Sequence, residues 1–558
     1  MEVIRKIDNF IRLDDSSVLQ NPDLVPVLVK NRKWGTMAYI SYWGLNGLCI
    51  ATWSGASSLI SLGLNGNQTM GVIVVGQLLI SAATVFNGLY GAKYHIGYSV
   101  YQRIIFGIRG SNFGVLIRSL LSVVWFASQA WIGGLCVNII LSSWSSTYLN
   151  WKNTLPESVN MTSKELCGFV VYLAISLPVL MIRPQNTEHL LTASSLAIFF
   201  VGMGTTIWAV KQNGNTYGSL LSQKMELSSS DLGWAWVYGL SSWYSSLVAG
   251  ISNQSDYSRF TKSTKSALVG TLIGTNVLGF IIPIFAILTA SALYETTGEY
   301  FWMPTDICDY WLQTNYSPKS RAAAFFCGLA MVISQLGINC VGNGLSGGMD
   351  LASIFPRYIN IRRGAFIVFL LTWPTQPWLF YNSSSTFVVV MSSFSVFVTP
   401  LVAIFMTDFI FVRRGVIKLS DCYNMDESSL YWYWHGINIR SFVAFTIGFA
   451  PALPGLINAC NETIYVNTGS QNFYKGSFIF QYVVTSTCYY LLCYFFKVNV
   501  GERDENDIYN TFNDQECKKY NIIPYDKIEK SNSSDVEPIS IEYIGKNASY
   551  YENTDIKA

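Results

Sequence analysis

Four stretches of the 558-residue chain hold amide, indole and hydroxyl groups inside otherwise apolar runs. In VVWFASQAWIGGLC, Trp125 and Gln129 stand four apart, so a helix puts both on one face. An indole with an amide one turn away can stack on a planar ring and hydrogen-bond its edge; ordinary helix packing is the competing reading. In GLAMVISQLGINCVGNGLSGGMD, Gln335, Asn339 and Asn343 recur every four residues and line one face. Amides facing lipid are costly, so this stripe faces protein or a cavity. In YISYWGLNGLCIATW, Gly44 and Gly47 flank Asn46. That pattern suits a discontinuous helix with open backbone groups, or close packing of another helix on the glycines. In WAWVYGLSSWYSSLVAGISNQSDYSRF, five serines from Ser241 to Ser252 interrupt the run near Gly250. A second broken helix is expected there, with Trp243 and Tyr244 as a further aromatic wall. The alternative is serines bonding back to their own helix.

Other chemistries lack their parts. Gly344-Leu-Ser346-Gly-Gly348 fits a nucleophile-elbow pattern, but that motif needs a strand–turn–helix and His and Asp partners. There is no phosphate loop, HExxH or dinucleotide fingerprint, so neither an enzyme nor an ATP-driven pump is supported. Three histidines and eleven scattered cysteines form no metal cluster or disulfide framework. No carboxylate stands in the middle of an apolar run, so a cationic guest would be held by aromatic faces. Asp256, Asp350 and Asp408 lie at run ends, with Arg259, Arg357 and Arg413 following, which predicts ion pairs there.

The elements that position these groups follow from composition. Charged residues are 13%, about half the share of a soluble domain, while hydrophobic residues are 51%. A net charge of +2 offers no basic footprint for nucleic acid. The class is an all-α polytopic membrane protein. A hydrocarbon core needs about 20 apolar residues as helix. Twelve such runs are expected near 37–62, 70–91, 114–143, 165–182, 189–210, 233–252, 266–293, 321–346, 364–381, 385–412, 440–458 and 477–497. The stretch 95–109 is too polar to span and is expected along the membrane surface.

Alternate loops carry most of the Lys and Arg, among them Lys93, Arg183, Lys262, Arg362, Arg413 and Lys418. That bias predicts cytosolic N- and C-termini. Sequons at Asn67, Asn160, Asn315 and Asn461 then fall outside and could carry glycans, whereas Asn253, Asn532 and Asn547 fall inside. Residues 1–35 read as a cytosolic N-terminal tail, 36–497 as the transmembrane domain, and 498–558 as a cytosolic, largely disordered C-terminal tail. Lys518, Lys519, Lys527 and Lys530 are candidate sites for ubiquitin-type modification.

The stretches NPDLVP, RKWGTMAYISYWG, SQAWIGGLC, NQSDYSRF, WMPTDI, GGMDLASIFPRYINIRRG and FYNSSSTFVVVMSSFSV occur in order along the chain. With them the sequence resembles the fungal nucleobase–cation symporter-1 family, most closely its thiamine and nicotinamide riboside branch. The resemblance implies a LeuT-like fold, ten helices in two inverted halves plus two C-terminal helices. It implies a substrate between helices one, three, six, eight and ten. Trp125, Gln129 and Asn343 match the family's binding residues, and Phe387 and Phe394 correspond to helix-ten gates. Two departures matter. Ser334, Gly337 and Ile338 match the helix-eight sodium positions of bacterial relatives, and Ile338 has no side-chain oxygen, which favours a proton as coupling ion. The Trp125–Gln129 pair is also the pairing of uracil and allantoin carriers.

The expected function is therefore plasma-membrane import of a small aromatic vitamin or nucleoside-like solute by alternating access. Thiamine comes first and nicotinamide riboside second. A uracil, uridine or allantoin permease is the alternative within the family. A nutrient receptor that does not translocate is the alternative outside it.

Overall fold

The computed structural model describes residues 12–13, 16–182, 187–224 and 227–531. Arg183, Asn532, Asn547 and the tail beyond 531 lie outside the described residues, as does the side chain of Lys530. The described chain is all-helical, with isolated β-bridges and no named strand.

The first apolar run is two helices, α1 (Thr36–Gly47) and α2 (Ile50–Ser58), separated at Leu48 and Cys49. Cys49 is extended, with φ −145° and ψ 165°. Both readings of its glycines are realised. A methyl on Gly47 would lie 2.8 Å from the Gly279 Cα, so the chain packs backbone to backbone there. The helix also breaks one residue later.

Next come α3 (Gly66–Tyr94), α4 (Tyr98–Phe106), α5 (Ser111–Trp144), α6 (Ser163–Leu180) and α7 (Glu188–Gln212). Asn65 starts α3 with a capping box, its side chain accepting from the Gln68 N–H while Gln68 returns the bond. The second half opens with α8 (Ser229–Ser252) and α9 (Gln254–Ser258), then α10 (Thr264–Asn276), α11 (Ile281–Thr297) and α12 (Pro304–Thr314). It continues through α13 (Pro318–Leu336), a π-helical segment Gly337–Leu345, α14 (Ser346–Ile354), α15 (Ile361–Leu370) and α16 (Ser384–Thr407). Two further apolar stretches, α17 (Ile439–Phe449) with α18 (Leu453–Cys460), and α19 (Ser477–Phe495), pack beside α16. The break expected near Gly250 falls at Asn253, because the α8 serines keep the helix intact up to Ser252.

Among the described residues, nine helical runs are long and apolar enough to cross a membrane, against the twelve expected. The first expected run fails because it is broken, and the ninth because α15 has only ten residues. The sixth, α8, is long enough at 24 residues but its serines dilute its hydropathy.

Two surface expectations need correction. Helix α4 does not lie along a membrane surface: every residue from Tyr98 to Phe106 is buried within the protein. Its polar groups are spent inside, as where Arg103 donates to the Cys422 carbonyl at 3.1 Å. The described part of the C-terminal tail, 498–531, is packed rather than disordered. Its carboxylates hold backbone N–H groups: Asp507 accepts from Thr511 and Phe512 at 2.9 and 2.8 Å, and Asp504 accepts from Ser420 at 3.1 Å. Phe512 and Cys517 are buried in the same cluster as α4. A further short helix, α20 (Asp514–Tyr520), brings Glu516 to Arg32 at 2.9 Å, joining both tails.

Candidate functional site

The amide stripe on α13 and the π-helical segment packs against α5, α1 and α2, and α5 in turn contacts α8 and α16. The π-helical segment is what keeps the stripe together. At a period of 3.6, residues four apart drift steadily round the axis; the wider π turn reverses that drift. Gln335 Nε2 donates to Gln129 Oε1 at 3.1 Å and to the Gln129 carbonyl at 3.2 Å. Asn339 Nδ2 donates to the Phe126 carbonyl at 3.1 Å, and Asn343 Nδ2 to Asn339 Oδ1 at 3.2 Å. α5 and α13 are thus zipped by amides.

The zipper leaves groups over. Trp125 Nε1, Gln129 Nε2 and Gln335 Oε1 are buried and have no partner. Asn343 stays half-exposed. Phe394 of α16 meets Trp125 with ring centroids 5.2 Å apart at 47°. Asn46 is half-buried at the α1 end, its Nδ2 donating to the Tyr42 carbonyl at 2.9 Å, while its own carbonyl, freed by the helix break, accepts from Thr52 Oγ1 at 2.8 Å. An indole face, two unspent donors and a half-exposed amide can clasp a flat, edge-accepting ring.

Trp243 and Tyr244 do not join this cluster. Trp243 Nε1 donates to Gln77 Oε1 on α3 at 3.1 Å, and its ring fills the notch at Gly76. Tyr244 stacks on Phe478 of α19, 3.7 Å between centroids. Both turn away to the scaffold because α8 presents Ser245 inward instead. Ser245 Oγ accepts from the Ser395 N–H at 2.6 Å, beside Phe394. Pro400 also leaves the Val396 carbonyl without its helical donor, and Gln481 Nε2 supplies one at 3.0 Å. α16 is thus tied to α8 at Ser395 and to α19 at Val396, next to Phe394. Ser246 and Ser252 follow the other reading and bond back to Trp243 and Ala249.

Phe387 lies one level further along α16, in a ring cluster with Trp302 and Tyr381 at 5.5 and 5.4 Å. Tyr381 Oη and Ser128 Oγ are 2.7 Å apart, and Ser57 Oγ donates to the Trp302 carbonyl at 2.6 Å. This lid was missed in the residue-by-residue reading. Trp302 and Tyr381 sit at the heads of WMPTDI and within FYNSSSTF, the stretches that carry the family resemblance, and that was the available signal.

The opposite end is closed by ions, and there the expected partners are wrong. Asp256 and Asp350 pair with Arg118 of α5, not with Arg259 and Arg357. Arg118 Nε donates to Asp350 Oδ1 at 3.0 Å, and Nη2 lies 3.6 Å from Asp256 Oδ2. Nη1 donates to Ser346 Oγ at 3.1 Å, so the serine of the false elbow pattern serves this latch. With its amide oxygen toward the guanidinium, Asn253 accepts from Arg118 Nη1 at 2.9 Å. Arg118 was overlooked because it sits inside an apolar run. Asp408 does pair with Arg413, at 3.1 Å.

A sequence profile of permeases for cytosine and purines, uracil, thiamine and allantoin matches residues 26–484. The chain is 39% identical to the thiamine transporter of Saccharomyces cerevisiae, over 92% of this chain and 86% of that protein. It is 38% identical to nicotinamide riboside transporter 1 of the same yeast, over 91% and 85%. The uracil permease of that organism is 33% identical, over 86% and 77%. The fold matches Mhp1, a nucleobase-cation-symport-1 family transporter solved closed with bromovinylhydantoin bound. The TM-score is 0.67 at 19% identity, covering 91% of this chain and all of that one. A Na+-coupled sialic acid symporter gives a TM-score of 0.51 at 13% identity, covering 83% and 97%. The arrangement is thus the LeuT-like one, in a multi-pass membrane protein whose relatives are transporters and not enzymes. Profile and relatives agree over most of the sequence, and the chain belongs to the family of permeases for cytosine and purines, uracil, thiamine and allantoin.

Proposed function

We propose that the chain imports a small, flat, heteroaromatic solute by alternating access, with thiamine as the first candidate and nicotinamide riboside as the second. One observation carries the site: Trp125 Nε1 and Gln129 Nε2 are buried donors without acceptors, beside the half-exposed Asn343. Buried donors are ordinarily paired, so a guest with ring acceptors is the missing partner. Trp125 would stack on its ring with Phe394 at the edge, and cation–π attraction would favour a cationic one. The names of the relatives at 38–39% identity support the choice within the class. Uracil, uridine and allantoin form the second reading, supported by the Trp125–Gln129 pair.

A proton is the coupling ion in this reading. Gly337, one of the sodium-matching positions, is packed against Ser194, and Ile338 is buried among apolar side chains. The Arg118 latch holds two carboxylates for one guanidinium, and Asp256 Oδ2 and Asp350 Oδ2 accept no hydrogen bond. The excess carboxylate is the place for that proton. Tails facing the cytosol, residence in the plasma membrane, glycans on the exposed Asn67, Asn160, Asn315 and Asn461, and ubiquitin-type modification at the exposed Lys518, Lys519 or Lys527 complete the proposal.

Uptake of labelled thiamine, nicotinamide riboside, uracil and allantoin, each competed by the other three unlabelled, tests it. Thiamine is expected to be taken up and to compete best. Trp125→Ala is expected to abolish high-affinity uptake while the protein remains at the cell surface; unchanged uptake removes the stacking role. Vesicles with an imposed pH gradient separate a carrier from a receptor.

A further inference from the structure

Three buried arginines of this protein form ion pairs: Arg32 meets Glu516, Arg118 meets Asp350 and Asp256, and Arg413 meets Asp408. Arg259 donates to the backbone carbonyls of Asp23 and Asp256 and has the Asp23 carboxyl in its field. Arg103 on α4 differs. It is 3% exposed, donates to the Cys422 carbonyl, and has its guanidinium 5.4 Å from the Tyr423 ring. It forms no ion pair with any described residue. A buried charge without a counter-charge is expensive and calls for a partner.

Arg103 lines a crevice of about 150 Å³ between α4, the start of α5, the end of α14 and the N-terminal segment at Val18 and Leu19. A water needs on the order of 10–15 Å³ on the same measure, so the space holds a polyatomic guest. Among the described residues its polar lining is Ser99, Arg103, Arg109, Ser111, Asn112 and Ser353, with no Asp or Glu. Ser99 and Ser353 are buried, and neither side chain bonds to a described residue. Arg109 is exposed, with its guanidinium 4.7 Å from the Trp432 ring. The 34-residue helix α5 begins here at Ser111, with no acidic residue in its first turn to neutralise the positive end of its dipole.

We propose that this crevice binds a phosphate monoester or free phosphate, gripped by Arg103 and Arg109 at the start of α5. Two guanidiniums, unspent hydroxyls and a helix N-terminus match the oxygen-rich, multiply charged shape of phosphate. The source is either a soluble phosphate or the headgroup of a membrane lipid. The site is separate from the Trp125 cluster and does not depend on the substrate assigned to it.

The test uses the full chain. In detergent, inorganic phosphate is titrated against chloride at matched ionic strength, following the unfolding midpoint. In parallel, the protein is placed in nanodiscs of phosphatidylcholine with and without phosphatidylinositol 4,5-bisphosphate. A saturable rise of about 2–4 °C is expected in at least one arm. A rise with inorganic phosphate identifies a soluble ligand; a rise only with the phosphoinositide identifies a headgroup. Arg103→Gln is expected to abolish it. Because that side chain is buried, the exposed Arg109→Gln serves as the second variant, expected to weaken binding about 10-fold with its midpoint otherwise unchanged. No rise in either arm, or the same rise in Arg109→Gln, overturns the proposal.

Discussion

The Tyr381–Trp302–Phe387 lid and the Arg118–Asp256–Asp350 latch close opposite ends of one helix cluster, and they do so with different chemistry. Ser128 and Arg118 are ten residues apart on α5, about 15 Å. The lid is the half-exposed rings of Trp302 and Tyr381 with the buried Phe387, tied to the helices by the hydroxyls of Ser57 and Ser128. When it opens, its hydroxyls find water and little is lost. The latch is one guanidinium and two carboxyl groups, all buried. Opening it must hydrate or re-pair every charge together. The lid can therefore open in small steps, while the latch opens as a unit.

The largest effect expected from breaking this contrast is at Arg118. Arg118→Gln leaves Asp256 and Asp350 buried without a cation, a loss of about 3–5 kcal/mol. Thermal unfolding of the purified protein measures it. Adding Asp256→Asn and Asp350→Asn to the same chain is expected to restore most of the loss, because the orphaned charges go with the guanidinium. A mild Arg118→Gln phenotype with no such rescue erases the distinction between the ends.

How much of this could be read beforehand follows from what each residue costs in lipid. Trp125, Gln129, Gln335, Asn339 and Asn343 announce themselves because amides in an apolar run need partners, and the structure brings all five together. Phe394 came from the resemblance and meets Trp125. Trp243 and Tyr244 misled because aromatic residues serve packing as readily as binding, and spacing alone does not say which way a helix face turns. Trp302 stands outside the expected apolar runs and Tyr381 at the last residue of one, so only the stretches that carry the family resemblance point to them. Arg118 was invisible because one charge does not spoil a hydropathy window. The packed C-terminal tail escaped because composition counts its carboxylates as solvated, whereas here they cap backbone N–H groups.

A middling effect is expected from the lid. Tyr381→Phe removes the hydroxyl contact with Ser128 and keeps the rings, a change of about 1 kcal/mol. The buried Cys49, close enough to Tyr381 to interact electrostatically, reports it. With the exposed Cys460 replaced by serine, a membrane-impermeant maleimide is expected to label Cys49 several-fold faster in Tyr381→Phe than in the parent. Arg118→Gln, read in the same assay, is expected to move labelling far less than it moves stability. Equal responses in both variants make the two closures a single coupled unit.

The smallest effect lies at the tail clasp, beyond the latch. His95 is buried, its Nε2 lies 2.6 Å from Arg32 Nη1 and 3.7 Å from Glu516, and its Nδ1 lies 3.0 Å from the Arg259 carbonyl. Arg32 can only donate, so Nε2 accepts and the proton sits on Nδ1. That is the neutral ring. Burial holds the His95 pKa below its ordinary 6.5, with Glu516 opposing and Arg32 assisting. The unfolded or undocked state therefore binds the proton first, and docking is lost as pH falls below about 6.5. Glu516, held below its ordinary 4.5 against its burial by the Asn513 N–H and Arg32, adds a second loss only below 4.5. Between pH 7.5 and 5.5, hydrogen exchange over residues 503–523 is expected to quicken in the parent and to stay flat in His95→Gln, whose amide cannot ionise. The Trp125 and Arg118 regions are expected to keep their protection across the same range. Loss of protection in all three together would tie the tail clasp to the latch and put their opening in one cooperative unit.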